Sequence, residues 1–339
     1  MSERTPVWIG IDGGSTYSFG VAVDRSGEVL AASSAGSLDF FGSDLPDARR
    51  NLQDLIKSLE VQLPVQNVFE RIVIGSQSVM IEGAPEFKEQ LCKGIVPMAE
   101  TRLVGHSFIT FQGANLGQPA LIIFSGTGSS VLAQNEAGET FQMGGWGHLL
   151  ADEGSAFWIA VESIKAAIAA TEGRGRDTAL VVEICEWFGV KDLADIVPLV
   201  YKDSGPKDRV GVLAEHLAKT LGGEDKVFSD ILWSGAEALA DLTLACLRLV
   251  PFAESPIPLY LVGGVLAKND FIRSGLLSIL KEHLEFEERE VKLPAILGAA
   301  SLALADSGFD VSTEMAERMD RSYQEVRRSA RRASPPKPS

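Results

Sequence analysis

The sequence predicts an α/β protein built twice on one plan, and three observations carry that expectation. First, two Gly-rich turns about a hundred residues apart are framed alike. Trp8-Ile-Gly-Ile-Asp12-Gly13-Gly14-Ser15-Thr16 leads into an apolar strand closed by Asp24-Arg-Ser-Gly27-Glu28. Leu121-Ile-Ile-Phe-Ser125-Gly126-Thr127-Gly128-Ser129 leads into another, closed by Asn135-Glu-Ala-Gly138-Glu139. Second, strand patterns alternate with helical ones around both turns. Third, 339 residues give room for two domains, each with its own core.

Taken in order, residues 7–12, 19–24 and 29–35 read as three strands. A helix is expected over 46–59, where Leu52, Leu55 and Leu59 keep a three-to-four spacing. Residues 71–76 form a buried strand whose Gly75 permits close approach. Residues 82–93 read as helix and 108–110 as a short edge strand. The second meander starts near Ala120, and helical stretches follow near 155–171, 178–187, 208–221 and 228–250. A strand at 258–262 runs into Gly263-Gly264-Val265, and a helix is expected after Asn269-Asp270. Residues 295–305 form an Ala-rich helix able to pack closely on a sheet.

Composition narrows the function classes. With 45% hydrophobic and 23% charged residues the chain has the profile of a soluble globular protein. A net charge of −15 argues against general nucleic-acid binding, which needs a basic face. Cys92, Cys185 and Cys246 are scattered and odd in number, which fits a reducing cytoplasm and no disulfide framework. No signal peptide and no membrane partner are expected: the N-terminus passes straight into a strand, and no apolar run approaches roughly 18 residues. Residues 318–339 are rich in arginine and end in Ser-Pro-Pro-Lys-Pro-Ser, so a frayed helix and disordered tail are expected. An electrostatic tether to an acidic surface is the alternative.

The chemistry begins at Asp12. A Gly/Ser/Thr turn between two strands exposes backbone N–H groups suited to phosphate. A carboxylate at its start suits a hydrated Mg²⁺, which takes one or two carboxylates plus water and phosphate oxygens. A plain turn acid is the bland alternative, and the matching Ser125–Ser129 turn weighs against it. Gly263-Gly264 offers bare backbone on which a nucleoside can lie. The most specific stretch is Gly144-Gly145-Trp146-Gly147-His148-Leu-Leu-Ala-Asp152-Glu153-Gly154-Ser155. Its glycines admit a flat ligand, and Asp152 either holds sugar hydroxyls or caps the following helix. His148 is given no catalytic role.

These motifs, in this order over about residues 7–305, resemble the N-acetylglucosamine kinases of the BadF/BadG/BcrA/BcrD-type ATPases, within the actin, sugar kinase and Hsp70-like superfamily. The resemblance implies two actin-like (ribonuclease H-like) domains with a duplicated βββαβαβα core and an interdomain cleft. Residues 1–117, joined by a returning helix at 295–317, would form the first domain, residues 118–294 the second, and 318–339 a basic tail. It implies ATP and Mg²⁺ as cofactors, with Asp12 at the metal. Gly13, Gly14, Ser15, Thr16, Gly126, Thr127 and Gly128 would hold phosphates, and Gly263 and Gly264 would flank the nucleoside. Asp39, Gly145, Trp146, Gly147, Asp152 and Glu153 would line the sugar.

Two departures from that family's pattern stand out. Asp39 occupies the place of a sugar-binding Asn. Gln112 is read at the place of a catalytic Asp just after the strand expected at 108–110, and Gln cannot accept a proton. The expectation is therefore a slow kinase for an N-acetylglucosamine-like sugar, with Asp39 or Asp152 as a substitute base. The alternative is a non-catalytic sugar or ATP sensor of the same fold. The iron–sulfur activator ATPases share the Gly-rich turns, but the three cysteines lie outside the contexts they need. A cytoplasmic homodimer is the expected setting.

Overall fold

The computed structural model describes residues 5–39, 44–64, 66–80, 85–201 and 206–333, the side chains of 206–209 and 330–333 aside. Two compact units emerge, Met1–Gln118 with Glu290–Ser339 and Pro119–Arg289.

The first unit opens with an antiparallel meander, β1 (Thr5–Gly13), β2 (Tyr17–Val23) and β3 (Val29–Gly36). Helix α1 (Leu45–Gln62) leads to β4 (Asn67–Ser76), then α2 (Pro85–Cys92), β5 (Thr101–Gly105) and α3 (His106–Asn115). The five-stranded sheet runs β3-β2-β1-β4-β5, with β4 parallel to β1 and β5 parallel to β4. Every third or fourth residue of α1 (Leu52, Leu55, Ile56, Leu59) is buried with Ile9, Ile11, Ile72 and Ile74 on one sheet face. Gly20 leaves the room that Leu55 and Leu59 fill.

The second unit repeats the order. β6 (Ala120–Ser125), β7 (Ser129–Gln134) and β8 (Thr140–Gly144) form its meander. A helical block follows: α4 (Ala156–Thr171), α5 (Leu180–Phe188), α6 (Val197–Tyr201), α7 (Pro206–Thr220) and α8 (Lys226–Leu249). Then come β9 (Ile257–Val262), α9 (Gly264–Lys268), α10 (Asp270–Lys281) and β10 (Phe286–Glu288). Its sheet runs β10-β9-β6-β7-β8, the same topology as the first. Asn269 accepts from the N–H groups of Phe271 and Ile272, so the short α9 ends where α10 is capped.

The chain then returns to the first unit through α11 (Ala295–Asp306) and α12 (Thr313–Ala333). The small side chains of α11 let it lie directly on β1: a Cβ on Gly10 would fall 2.3 Å from the Ala300 nitrogen. It crosses α3 as closely, since a Cβ on Gly298 would meet the Ile109 carbonyl at 2.0 Å.

Two sequence expectations are corrected. Residues 108–110 lie inside α3, and the edge strand is β5. Ile109, Thr110, Phe111 and Gln112 are buried in succession, so this short helix lacks the one-sided pattern that marks a helix in sequence. Residues 318–333 continue α12 instead of fraying. Met319, Ser322 and Tyr323 are buried, and the Val29 N–H donates to Ser322 Oγ at 3.0 Å. Residues 334–339 lie outside the described residues.

Candidate active site

In the first unit the parallel strands end together. Strand register sets Asp12 beside Gly75, Gly13 beside Ser76, and Ser76 beside Gly105. The C-terminal edge of such strands is where open α/β sheets bind ligands. Asp12, the β1–β2 turn and the residue following β5 therefore share one edge. That residue is His106, the first of α3, and its Nδ1 lies 2.8 Å from Asp12 Oδ1. Burial works to lower the His106 pKa, but the charge and hydrogen bond of Asp12 outweigh it and the net shift is upward. Beyond β3, Asp39 Oδ1 accepts from Ser78 Oγ, while the Asp39 N–H donates to Ser37 Oγ at 3.0 Å.

The turn itself demands glycine. A Cβ on Gly13 would fall 2.7 Å from the Gly75 carbonyl, and one on Gly14 2.5 Å from that of Tyr17. Ser15 and Thr16 are exposed at its tip. Of the loop after β3, residues 40–43 lie outside the described residues.

Gln112 is corrected here. It sits well inside α3, only 6% exposed, and His106 stands where a residue just past the edge strand belongs. The aromatic and β-branched run Phe108-Ile-Thr reads as strand in sequence, and that moves the expected acid position to residue 112. Gln112→Asp is accordingly expected to destabilise the protein by about 1–3 kcal/mol or more, because it buries a carboxylate in a helix interior. Thermal unfolding checks this, and an unchanged melting temperature with faster turnover would return the acid position to 112.

In the second unit the Ser125–Ser129 turn is stitched to residues 152–156. Ser125 Oγ donates to the Gly154 carbonyl at 2.8 Å and Ser129 Oγ to that of Glu153 at 2.7 Å. The Ala156 N–H donates to the Gly126 carbonyl at 2.8 Å. The N-cap of α4 is Ser155, which accepts from the Trp158 N–H, so Asp152 is not spent as a cap. Asp152 is 3% exposed and left-handed at φ +69°, a conformation whose cost a functional site can justify. Its carboxylate lies against the turn: a Cβ on Gly128 would fall 2.7 Å from Asp152 Oδ2. Gly145 and Gly147 also have positive φ, and they hold Trp146 out of the core at 64% exposure. His148 packs edge-on against Phe157.

A cavity of about 530 Å³ opens beside this turn. Gly126 and Thr127 form part of one wall with Gly263, Gly264 and Val265. β9 pairs parallel with β6, Phe124 opposite Val262, which brings Gly263 against Ser125. The other wall is α7, through Gly211, Ala214, Glu215 and Ala218. Bare backbone and small apolar side chains suit a flat heteroaromatic ring. The sequence reading does not single out the α7 wall, although Gly211, Ala214 and Ala218 fall at helical spacing on one face. Glu215 is joined to Lys219 at 2.8 Å and Lys268 at 2.9 Å. Those bonds, to Lys219 first, hold its carboxyl at about 2, so it is ionised throughout the neutral range.

Among the described residues no cluster of three or more His, Cys, Asp or Glu side chains could hold a metal alone. Asp12 is the carboxylate next to the first turn, and one carboxylate is what a hydrated, phosphate-borne Mg²⁺ could take from a protein. A carboxylate has about four acceptor sites, so the bond to His106 does not exhaust it. No described helix is long and apolar enough to cross a membrane.

Comparison with known proteins places these motifs in a family. The model of the BadF/BadG/BcrA/BcrD ATPase family matches residues 9–303. The N-acetylmuramic acid/N-acetylglucosamine kinase of Clostridium acetobutylicum is 26% identical over 266 residues, covering 78% of this chain and 87% of that protein. The N-acetyl-D-glucosamine kinase of Dictyostelium discoideum is 28% identical over 322 residues, covering 88% and 98%. A crystal structure from Chromobacterium violaceum, assigned as an N-acetylglucosamine kinase, shares the fold with a TM-score of 0.68 at 21% identity, covering 89% of this chain and 99% of that one. With both Gly-rich turns, the Gly144–Ser155 element and Gly263-Gly264 all inside the matched span, the chain belongs to the BadF/BadG/BcrA/BcrD ATPase family.

Proposed function

We propose that this protein transfers the γ-phosphoryl group of Mg-ATP to a hydroxyl of N-acetylglucosamine or a closely related amino sugar. The observation that carries the reading is the second-unit cavity. A nucleoside-sized slot walled by Gly263 and Gly264 adjoins a phosphate-type turn whose Gly128 packs on the buried Asp152. Relatives named as kinases of N-acetylglucosamine and N-acetylmuramic acid support the sugar class.

The roles follow from the chemistry of each group. Gly126–Gly128 and Gly13–Thr16 offer backbone N–H groups to the phosphates. Asp12 would hold Mg²⁺, which when bound neutralises charge on the transferring group. His106 takes the proton of the attacking hydroxyl, its ring oriented by the bond from Nδ1 to Asp12. Asp39 and Asp152 accept from sugar hydroxyls and fix which one attacks. Positioning and charge stabilisation supply most of the rate in phosphoryl transfer, so histidine in place of an acid is compatible with turnover.

ADP release with Mg-ATP and a panel of hexosamines tests the reading. Asp152→Asn is the diagnostic variant, because Asn tolerates the left-handed backbone at this position and only the charge is removed. Sugar-dependent ADP formation is expected in the native protein and should fall about 10²-fold or more in the variant. No turnover with any hexosamine, together with thermal stabilisation by sugar or ATP, would replace the kinase with a sensor.

A further inference from the structure

The α7 wall of the cavity carries a feature that the phosphate turns do not explain. α7 packs on α4 and α5, while α9 packs on β6, β9 and α10. Each helix is thus anchored separately on its own side of the slot. His216, on α7 between two cavity residues, holds the helix from behind, with Nε2 3.1 Å from Glu183 Oε2 and its ring 5.0 Å from that of Trp187. In front, Glu215 of α7 and Lys268 of α9 both line the cavity and are joined at 2.9 Å. The other oxygen of Glu215 binds Lys219 one turn along α7, at 2.8 Å.

We propose that Glu215 is a positioning residue that straps α7 to α9 across the nucleoside slot and so slows the exit of bound nucleotide. The inference rests on the nucleotide reading above and adds to it a determinant of residence time. An isolated surface ion pair contributes little. This one differs in arrangement. A single carboxylate uses both oxygens, the Lys219 bond fixes its rotamer, and the Lys268 bond links two helices through residues 53 positions apart in sequence. Loss of the strap leaves every wall residue in place but lets α7 and α9 separate more readily. The effect falls on dissociation and not on the phosphoryl-transfer step.

Stopped-flow chase of 1,N⁶-ethenoadenosine diphosphate by excess ADP, on the full chain, measures the rate directly. Glu215→Gln and Lys268→Met, which approach the strap from opposite walls, should each speed dissociation about three- to fivefold at low salt. The double variant should be no faster than either single one, since both remove the same link. The gap from native protein should narrow at about 0.5 M salt, where the native pair is itself screened. Native dissociation rates in both single variants, or additive effects in the double variant, would overturn the strap. Absence of nucleotide binding by the native protein would overturn the nucleotide reading itself, a separate and recognisable result.

Discussion

Replacing His106 with alanine is expected to lower sugar-dependent ADP formation by about 10²–10⁴-fold, the usual contribution of a positioned general base. At about 1.4 kcal/mol per factor of ten, that is roughly 3–5.5 kcal/mol of transition-state stabilisation. The expectation rests on placement. His106 follows the edge strand directly, shares its sheet edge with Asp12, and is bonded to Asp12 through Nδ1 at 2.8 Å. Folding should change little, because the side chain is partly exposed, at 23%. His106→Asp is the companion variant. It restores an acid next to Asp12, and like charges so close disfavour joint ionisation, so it should recover only part of the lost rate. Comparable rates in His106→Ala and the native enzyme, with unchanged melting temperature, would remove His106 from the chemistry.

Much of the fold was legible in the sequence because its signals are local. A Gly-rich turn between two apolar strands, repeated with a hairpin glycine after each, is visible without any tertiary information. Gly126, Gly263 and Gly264, which line the second-unit cavity, could be picked out for the same reason. The α3 region could not. His106–Asn115 is wrapped by α11 and the sheet, so burial on nearly every side erases the periodicity on which a helix assignment depends. That one misplacement moved the candidate acid position from His106 to Gln112. The strand β5, only five residues long and closed by Gly105, gave too short a pattern to compete. The Glu215–Lys268 pair was illegible for a different reason. Its partners lie on separate helices whose approach is fixed by tertiary packing, α7 on α4 and α5 and α9 on β6, β9 and α10, and not by either sequence segment.

Gly263→Ala should be the most damaging single methyl that can be added to this chain's candidate nucleotide site. Gly263 has φ 105° and ψ 157°, a region that glycine alone occupies readily, and strain there costs about 1–3 kcal/mol. The new Cβ would also fall 2.2 Å from the Ser125 carbonyl oxygen and 2.8 Å from the Gly126 nitrogen, where only backbone could yield. Overpacking of that kind adds about 1–3 kcal/mol, and the displacement would pass straight into the phosphate-type turn. A total near 2–6 kcal/mol is a large fraction of the stability of an ordinary domain. Expression in insoluble form, or a steep fall in melting temperature with loss of ADP binding, is the expected result. Gly264→Ala is the control one residue away. Nothing lies within 4 Å of its added Cβ, which would project into open space beside the slot. That variant should fold normally and lose nucleotide affinity alone. If both variants melt like the native protein, the close seating of Gly263 on the Ser125–Gly126 backbone does not hold the slot in shape. If Gly264→Ala binds ADP as tightly as the native protein, the bare face of α9 is not where the nucleoside lies.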